Sequence, residues 1–324
     1  MSSPVTSSSV TSGFDPASVL ARPMFQRITD VRLEDPETAF RNAQNRKKRE
    51  KMTPDGRLCI LACDHPARRV VGVADQPLAM ANRYDYLARI VAVLQANAVD
   101  GVMATMDILD ELLILHELFT NVGKPGLLDD KLLIPSLNRG GLAGADWEMD
   151  DPVTGPGVET CKLWAMDGVK LLLRLCDHDA GSLKTLHTCA EHITYANELE
   201  LPIFLEPLPV AKESNAYKVQ YHADALARTV GVACALGDSP RNLWLKLPYC
   251  ENFHTAAAAT SLPILLLGGD STDNAAFAEN LKQAMQRSWN VRGVMAGRNV
   301  LYPASGDPVT AAKTLYDIVH QPRD

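Results

Sequence analysis

The chain has 324 residues, 46% of them hydrophobic and 22% charged, with a formal net charge of −7. That composition supports a sizeable globular core, and the acidic balance argues against nucleic acid or an anionic membrane surface as partner. Seven scattered cysteines without paired spacing suit reduced thiols in a cytoplasmic protein, and no apolar run is long enough to span a membrane.

Residues 1–15 are rich in Ser and Thr, lack the basic start of a secretory signal, and read as a disordered tail. Residues 16–57 read as an N-terminal helical extension, with the basic cluster at 46–51 on a solvated helix face. From 58 to 324 one pattern repeats: short apolar runs alternate with longer amphipathic stretches, as in parallel β/α units. The runs are 58–63, 101–105, 131–137, 168–175, 202–205, 243–247, 263–267 and 293–296. Helices are predicted at 84–98, 107–120, 183–199, 222–236, 274–287 and 308–320. Eight such units predict a single (β/α)8 TIM barrel carrying the N-terminal extension. A doubly wound sheet would require a second domain, and no linker composition breaks the chain after residue 58.

A barrel of this kind places its active site at the carboxyl ends of the strands. The first run ends at Asp64, the fourth carries Lys170, the fifth ends at Glu206 and the sixth holds Lys246. A lysine inside an apolar strand is costly unless it is paired or loses its proton; the plainer reading is a strand-end lysine that reaches solvent. Period-two alternation puts Lys246 on the face of Trp244 and leaves Leu243, Leu245 and Leu247 for the outer helices, so Lys246 points into the barrel mouth. Lys170 shares its face with Leu172 and Arg174, and lysines from the fourth and sixth strands can converge.

Desolvation and a neighbouring cation both lower a lysine pKa, and a neutral lysine can form a Schiff base with a ketone. The iminium then draws electrons and permits carbon–carbon cleavage. Glu206, between the two lysines, is the candidate to move the proton, with burial raising its pKa. Asp64 is placed to orient a substrate hydroxyl. Plainer readings make Glu206 a structural ion-pair partner and Asp64 the cap of a turn. The seventh and eighth strands run into Gly268 and Gly269 and into Gly297 and Arg298, amides and a guanidinium suited to a phosphate. Arg174 joins them as a further substrate-binding cation.

These residues resemble a known group. Asp64, Val169-Lys170-Leu171-Leu172, Phe204-Leu205-Glu206 and Leu245-Lys246-Leu247-Pro248 resemble class I aldolases of the tagatose-1,6-bisphosphate aldolase type. The closing Ala296-Gly297-Arg298-Asn299-Val300 is similar to DhnA-type and sulfofructose-phosphate aldolases. The resemblance runs strand by strand over 58–302. It implies a Schiff base on Lys246, catalytic partners in Lys170, Glu206 and Asp64, and a phosphate grip at Gly297 and Arg298. It further implies a small-molecule sugar phosphate as partner, no metal or other cofactor, and a homo-oligomer.

The chain also resembles an actinobacterial aldolase group associated with inositol breakdown. That association alone implies 6-phospho-5-dehydro-2-deoxygluconate, cleaved to dihydroxyacetone phosphate and malonate semialdehyde. Pro248 replaces the acidic residue usual in tagatose-type enzymes, and the loop 138–160, with Arg139 and Trp147, is unfamiliar. Other readings are a class I aldolase for fructose or tagatose bisphosphate, sulfofructose phosphate or deoxyribose phosphate, and a non-catalytic sugar-phosphate-binding barrel. The last would keep Arg298 but have no use for two interior lysines. A metal-dependent aldolase would need histidines to converge, from among His65, His178 and His254.

Overall fold

The computed structural model describes residues 14–214, 216–269 and 273–322. The eight apolar runs form eight parallel strands. In chain order the strands are β1 (Leu58–Cys63), β2 (Gly101–Ala104), β3 (Leu132–Pro135), β4 (Val169–Leu175) and β5 (Ile203–Glu213). After a short antiparallel β6 (Ala216–Val219) come β7 (Leu243–Pro248), β8 (Ile264–Leu267) and β9 (Val291–Ala296). The hydrogen-bonded order is β3-β2-β1-β9-β8-β7-β5-β4. The sheet curls until its two ends meet. Ser136 bridges Lys170 in parallel, and the Leu137 N–H donates to the Lys170 carbonyl at 2.9 Å. One residue further, the Asn138 side chain continues the ladder. Its Nδ2 donates to the Leu172 carbonyl at 2.6 Å, and its Oδ1 accepts from the Leu172 N–H at 2.7 Å.

Three helices precede β1: α1 (Pro16–Val19), α2 (Arg22–Glu34) and α3 (Thr38–Asn45). Successive barrel strands are joined through α4 (Arg83–Gln95), α5 (Met106–Asn121), α6 (Val158–Leu163), α7 (Ala180–Glu198), α8 (Ala223–Cys234), α9 (Phe253–Ala257) and α10 (Asn274–Arg287). After β9 come α11 (Arg298–Leu301) and α12 (Pro308–His320). The last starts where Asp307 accepts hydrogen bonds from the Val309 and Thr310 N–H groups and Pro308 occupies the first turn. Among the described residues no helix is long and apolar enough to cross a membrane.

Alternation along the strands divides the core in two. Val169, Leu171 and Leu173 join Leu243, Leu245 and Leu247 in the layer against the helices. Leu58, Ile60, Met103, Phe204, Leu265 and Met295 fill the barrel interior. Where β9 passes β1, Gly293 has φ +137°, and a Cβ there would lie 1.9 Å from the Leu58 carbonyl oxygen, so the approach requires glycine.

Several features depart from the sequence expectation. The fifth run does not stop at residue 205: β5 continues to Glu213 and returns as β6, with Val210 opposite Val219 and Lys212 opposite Tyr217. Pro207 and Pro209 are tolerated there because β5 is paired in that stretch by β4, the β7 ladder having ended at Leu205. This arm adds Leu208, Val210, Tyr217 and Val219 to an apolar cluster with Leu172 and Met149 above the barrel interior.

The basic cluster at 46–51 is largely exposed, as expected, but it is not a helix face. It follows α3 as irregular chain, where Arg46 is buried against Asp167 and donates to the Lys131 carbonyl at 2.7 Å. Lys47 and Arg49 pair with Asp130 at 2.7 Å and Asp100 at 3.0 Å. Of the tail expected at 1–15, residues 1–13 lie outside the described residues. Phe14 is packed, with the Arg89 guanidinium 4.6 Å from its ring centroid, and Asp15 is exposed but caps α1, accepting from the Ala17 N–H at 3.0 Å.

Candidate active site

In the sheet β4, β5 and β7 are neighbours, so their inward side chains meet. Phe204 lies opposite both Lys170 and Trp244 in the register, which carries Glu206 up beside Lys246 and one step above Lys170. Lys170 Nζ lies 2.8 Å from Glu206 Oε2, and Lys246 Nζ lies 3.0 Å from the same oxygen. Lys170 also reaches Asp64 Oδ2 at 3.3 Å. The guanidinium of Arg139, from the loop after β3, pairs with that same Asp64 oxygen. The four expected catalytic residues therefore form one row with a fifth: Arg139, Asp64, Lys170, Glu206, Lys246. Cation and anion alternate along it.

The row is deeply placed: Lys170 is 0% and Lys246 4% exposed. Burial pushes both ammonium groups down in pKa, Lys170 further than Lys246. For Lys170 the Arg139 charge reinforces burial; for Lys246 burial prevails over Glu206, with help from Arg139 and Arg298. Burial alone predicts a raised Glu206. The structure reverses this, because Lys170, Lys246 and Arg139 outweigh burial and hold the carboxyl well below the usual carboxylate range. Glu206 is thus an ionised base at rest.

Gly268, Gly269, Gly297 and Arg298 line one cavity with Glu206 and Lys246. Gly269 has φ +68°, a left-handed conformation that suits glycine. At Gly297 a Cβ would fall 2.3 Å from the Ala62 carbonyl oxygen and 2.6 Å from His65 Cε1, so the ends of β1 and β9 approach only through glycine. Residues 270–272, which continue the Gly268 loop, lie outside the described residues. Arg174 lines the same cavity, but its guanidinium is engaged by Glu148 Oε1 at 2.8 Å and the Gly141 carbonyl at 3.2 Å, where it holds the 138–160 loop.

The cavity holds about 570 Å³. Around it Arg68, Arg139, Arg174, Lys218, Lys246 and Arg298 outnumber Asp64, Glu148 and Glu206, in a protein that is acidic as a whole. Such a lining favours an anionic ligand. His65 stands between the lysine row and Gly297. Burial first, then Arg298 and Lys246, push its imidazole well below the usual range, so it is neutral, and its Nδ1 is buried without a hydrogen-bond partner. Among the described residues no group of three or more His, Cys, Asp or Glu side chains is placed to hold a metal ion.

Arg139 and His65 are the site residues that spacing does not disclose. Arg139 lies on a loop whose path back into the barrel leaves no periodic trace. The sequence offers His65, directly after Asp64, as one of the histidines that a metal site would need, and not as a neighbour of the lysines.

The family model described as Cgl0159-like matches residues 56–315. The crystal structure of Cgl0159 from Corynebacterium glutamicum is 36% identical, with 93% of this chain and 98% of that chain covered and a TM-score of 0.87. An archaeal fructose-1,6-bisphosphate aldolase, with its catalytic lysine covalently bound to the carbinolamine intermediate of the substrate, is 19% identical. It covers 87% of this chain and 99% of its own, with a TM-score of 0.60, a likeness of fold. The 2-amino-3,7-dideoxy-D-threo-hept-6-ulosonate synthase 1 of Archaeoglobus fulgidus is 33% identical over 97 residues, 30% of this chain. That match spans 36% of the synthase's length.

Proposed function

The chain belongs to the Cgl0159-like family, whose match spans all eight barrel strands, and from that premise we propose that it is a class I aldolase. It is read as a carbon–carbon lyase that cleaves a phosphorylated ketose through a Schiff base on Lys246. The observation that carries this reading is the pair of buried lysines on one Glu206 oxygen, at 2.8 and 3.0 Å. A binding protein gains nothing from two interior ammonium groups that destabilise each other; a nucleophile gains a lowered pKa.

The sequence of steps follows. Neutral Lys246 adds to the ketone carbonyl to give a carbinolamine, which loses water to leave an iminium. Glu206, ionised by its cationic neighbours, takes the proton from the hydroxyl two carbons away along the chain. The bond between that hydroxyl-bearing carbon and the carbon next to the iminium breaks, its electron pair flows into the iminium to form an enamine, and an aldehyde leaves. Return of the proton to the enamine carbon and addition of water release the ketone product and restore Lys246. Lys170, ion-paired with Asp64 and Glu206, fixes the carboxylate that moves the proton. Gly268, Gly269, Gly297 and Arg298 take the phosphate, while Asp64 orients a substrate hydroxyl.

The cation-rich cavity supports a substrate with more than one anionic group, and 6-phospho-5-dehydro-2-deoxygluconate, with a phosphate and a carboxylate, is the favoured one. The deciding experiment is borohydride reduction with a panel of ketose phosphates that includes it and dihydroxyacetone phosphate. Mass should be added to the peptide containing Lys246. No adduct on any lysine with any member of the panel would sink the mechanism.

A further inference from the structure

Along the row from Arg139 to Lys246 three cations face two carboxylates. With both lysines protonated the row carries one positive charge in excess, in a buried place where excess charge is costly. The loss of one proton neutralises it. The guanidinium cannot supply that proton, because arginine stays charged in proteins. Lys170 touches two carboxylates, Asp64 at 3.3 Å and Glu206 at 2.8 Å, whereas Lys246 touches Glu206 at 3.0 Å. Lys246 is therefore the ammonium held by fewer anions. The further charged or titratable groups that act on it are His65 and Arg298, from the ends of β1 and β9, and neither is a carboxylate.

Resting on the aldolase reading above, we infer that Arg139 is the positioning residue that makes Lys246 a nucleophile at neutral pH: its fixed charge occupies Asp64, leaves Glu206 to Lys170, and releases the surplus proton from Lys246 to solvent. Without Arg139 two lysines would face two carboxylates, and both would stay protonated. The geometry is held in place from either side of Arg139. Asn138 is bonded to the Leu172 backbone, and the Arg139 N–H donates to Thr154 Oγ1 at 3.3 Å. Burial also leaves the Arg139 Nε without a hydrogen-bond partner. Burial and Arg139 lower Lys170 as well as Lys246, so the choice of Lys246 rests on its one carboxylate partner against the two of Lys170.

The test reads Lys246 itself and needs no sugar. The full-length protein is treated with formaldehyde and borohydride across a pH series, and methylation of the Lys246 peptide is followed by mass. A nearby charge typically moves a pKa by about 1–3 units, so Arg139→Gln should raise the midpoint for Lys246 by about one unit or more. Arg139→Lys replaces the fixed charge with one that can itself lose the surplus proton, so it should restore the midpoint only in part. Arg139→Met is run beside Arg139→Gln, so that a folding failure peculiar to one variant does not decide the matter. The acid limb of turnover should move with the methylation midpoint, and turnover should recover at alkaline pH.

An unchanged midpoint, with turnover reduced equally at every pH, would make Arg139 a structural residue and overturn the inference. A low midpoint found at Lys170 instead of Lys246 would do the same. If no ketose phosphate gives an adduct while the Lys246 midpoint still depends on Arg139, the aldolase reading fails and the electrostatic role stands.

Discussion

Lys170 and Lys246 meet at a single atom: both ammonium nitrogens lie on Oε2 of Glu206, one at 2.8 Å and the other at 3.0 Å. The arrangement divides labour between two residues of the same type. Lys170, 0% exposed and also paired with Asp64, holds the carboxylate; Lys246 lines the cavity, where on the proposed reading it meets the substrate.

That division predicts different outcomes for the two lysines. Lys246→Met should abolish the borohydride adduct. Lys170→Met should still give an adduct at Lys246, formed more slowly at neutral pH because Lys246 is then the sole lysine on Glu206. Turnover of Lys170→Met should fall by roughly 10²–10⁴, the usual contribution of a placed proton-transfer system. Peptide mass after reduction decides between them, and an adduct at residue 170 in the wild type would reverse the roles.

Glu206→Gln keeps the side-chain shape and removes the base. The variant should fold and form the iminium at Lys246, yet lose about 10²–10⁴ in turnover. If Glu206 were a structural partner alone, the main effect would be on stability, about 3–5 kcal/mol for breaking a buried pair. Thermal midpoint, trapping yield and turnover measured on one preparation separate the two. Near-normal turnover per folded molecule would remove Glu206 from the chemistry.

Arg298→Ala should raise KM roughly tenfold or more for phosphorylated substrates, since a charged hydrogen bond is worth about 1.5–3 kcal/mol. For an unphosphorylated analogue the loss should be much smaller. Equal losses on both would show that Arg298 does not read the phosphate.

At the opposite end of the chain's last helix, His320 joins Asp55 through Nδ1 at 2.7 Å and Asp100 through Nε2 at 2.9 Å. Burial alone would lower its pKa, but the two carboxylates outweigh burial and raise it above the ordinary value of 6.5. A raised histidine contributes its stability fully below the unfolded value and loses it as pH rises through the folded one. The thermal midpoint should therefore decline with rising pH from near 6.5 upward, and His320→Gln should flatten that slope. An identical pH dependence in the two proteins would exclude His320 as its source.

The barrel was legible in the sequence because strands buried on both faces must be apolar throughout, and Leu243 to Leu247 show the one exception that matters, Lys246. Lys170 within the fourth run, and Glu206 and Asp64 at the ends of others, are singled out by the same logic. The arm built from the end of β5 and from β6 was not, since Pro207 and Pro209 mark the end of a strand unless one knows that a neighbouring ladder has already stopped. Arg139 escaped for a different reason. Its position depends on how the ring closes, a long-range fact that no local pattern records.

That closure has a consequence for how such a site can change over generations. The ring is completed by the Ser136 bridge and by one side chain, Asn138, and the next residue is the one that charges the site. A barrel fastened by a clasp rather than by a full ladder can be loosened by a single substitution or insertion near the clasp. Here the same event would displace a guanidinium from the lysine row. On the proposed reading, mechanical integrity and reactivity are inherited together at 138 and 139. The arm of β5 and β6 carries no such double duty, so it is a part of the mouth free to be remodelled for a new substrate.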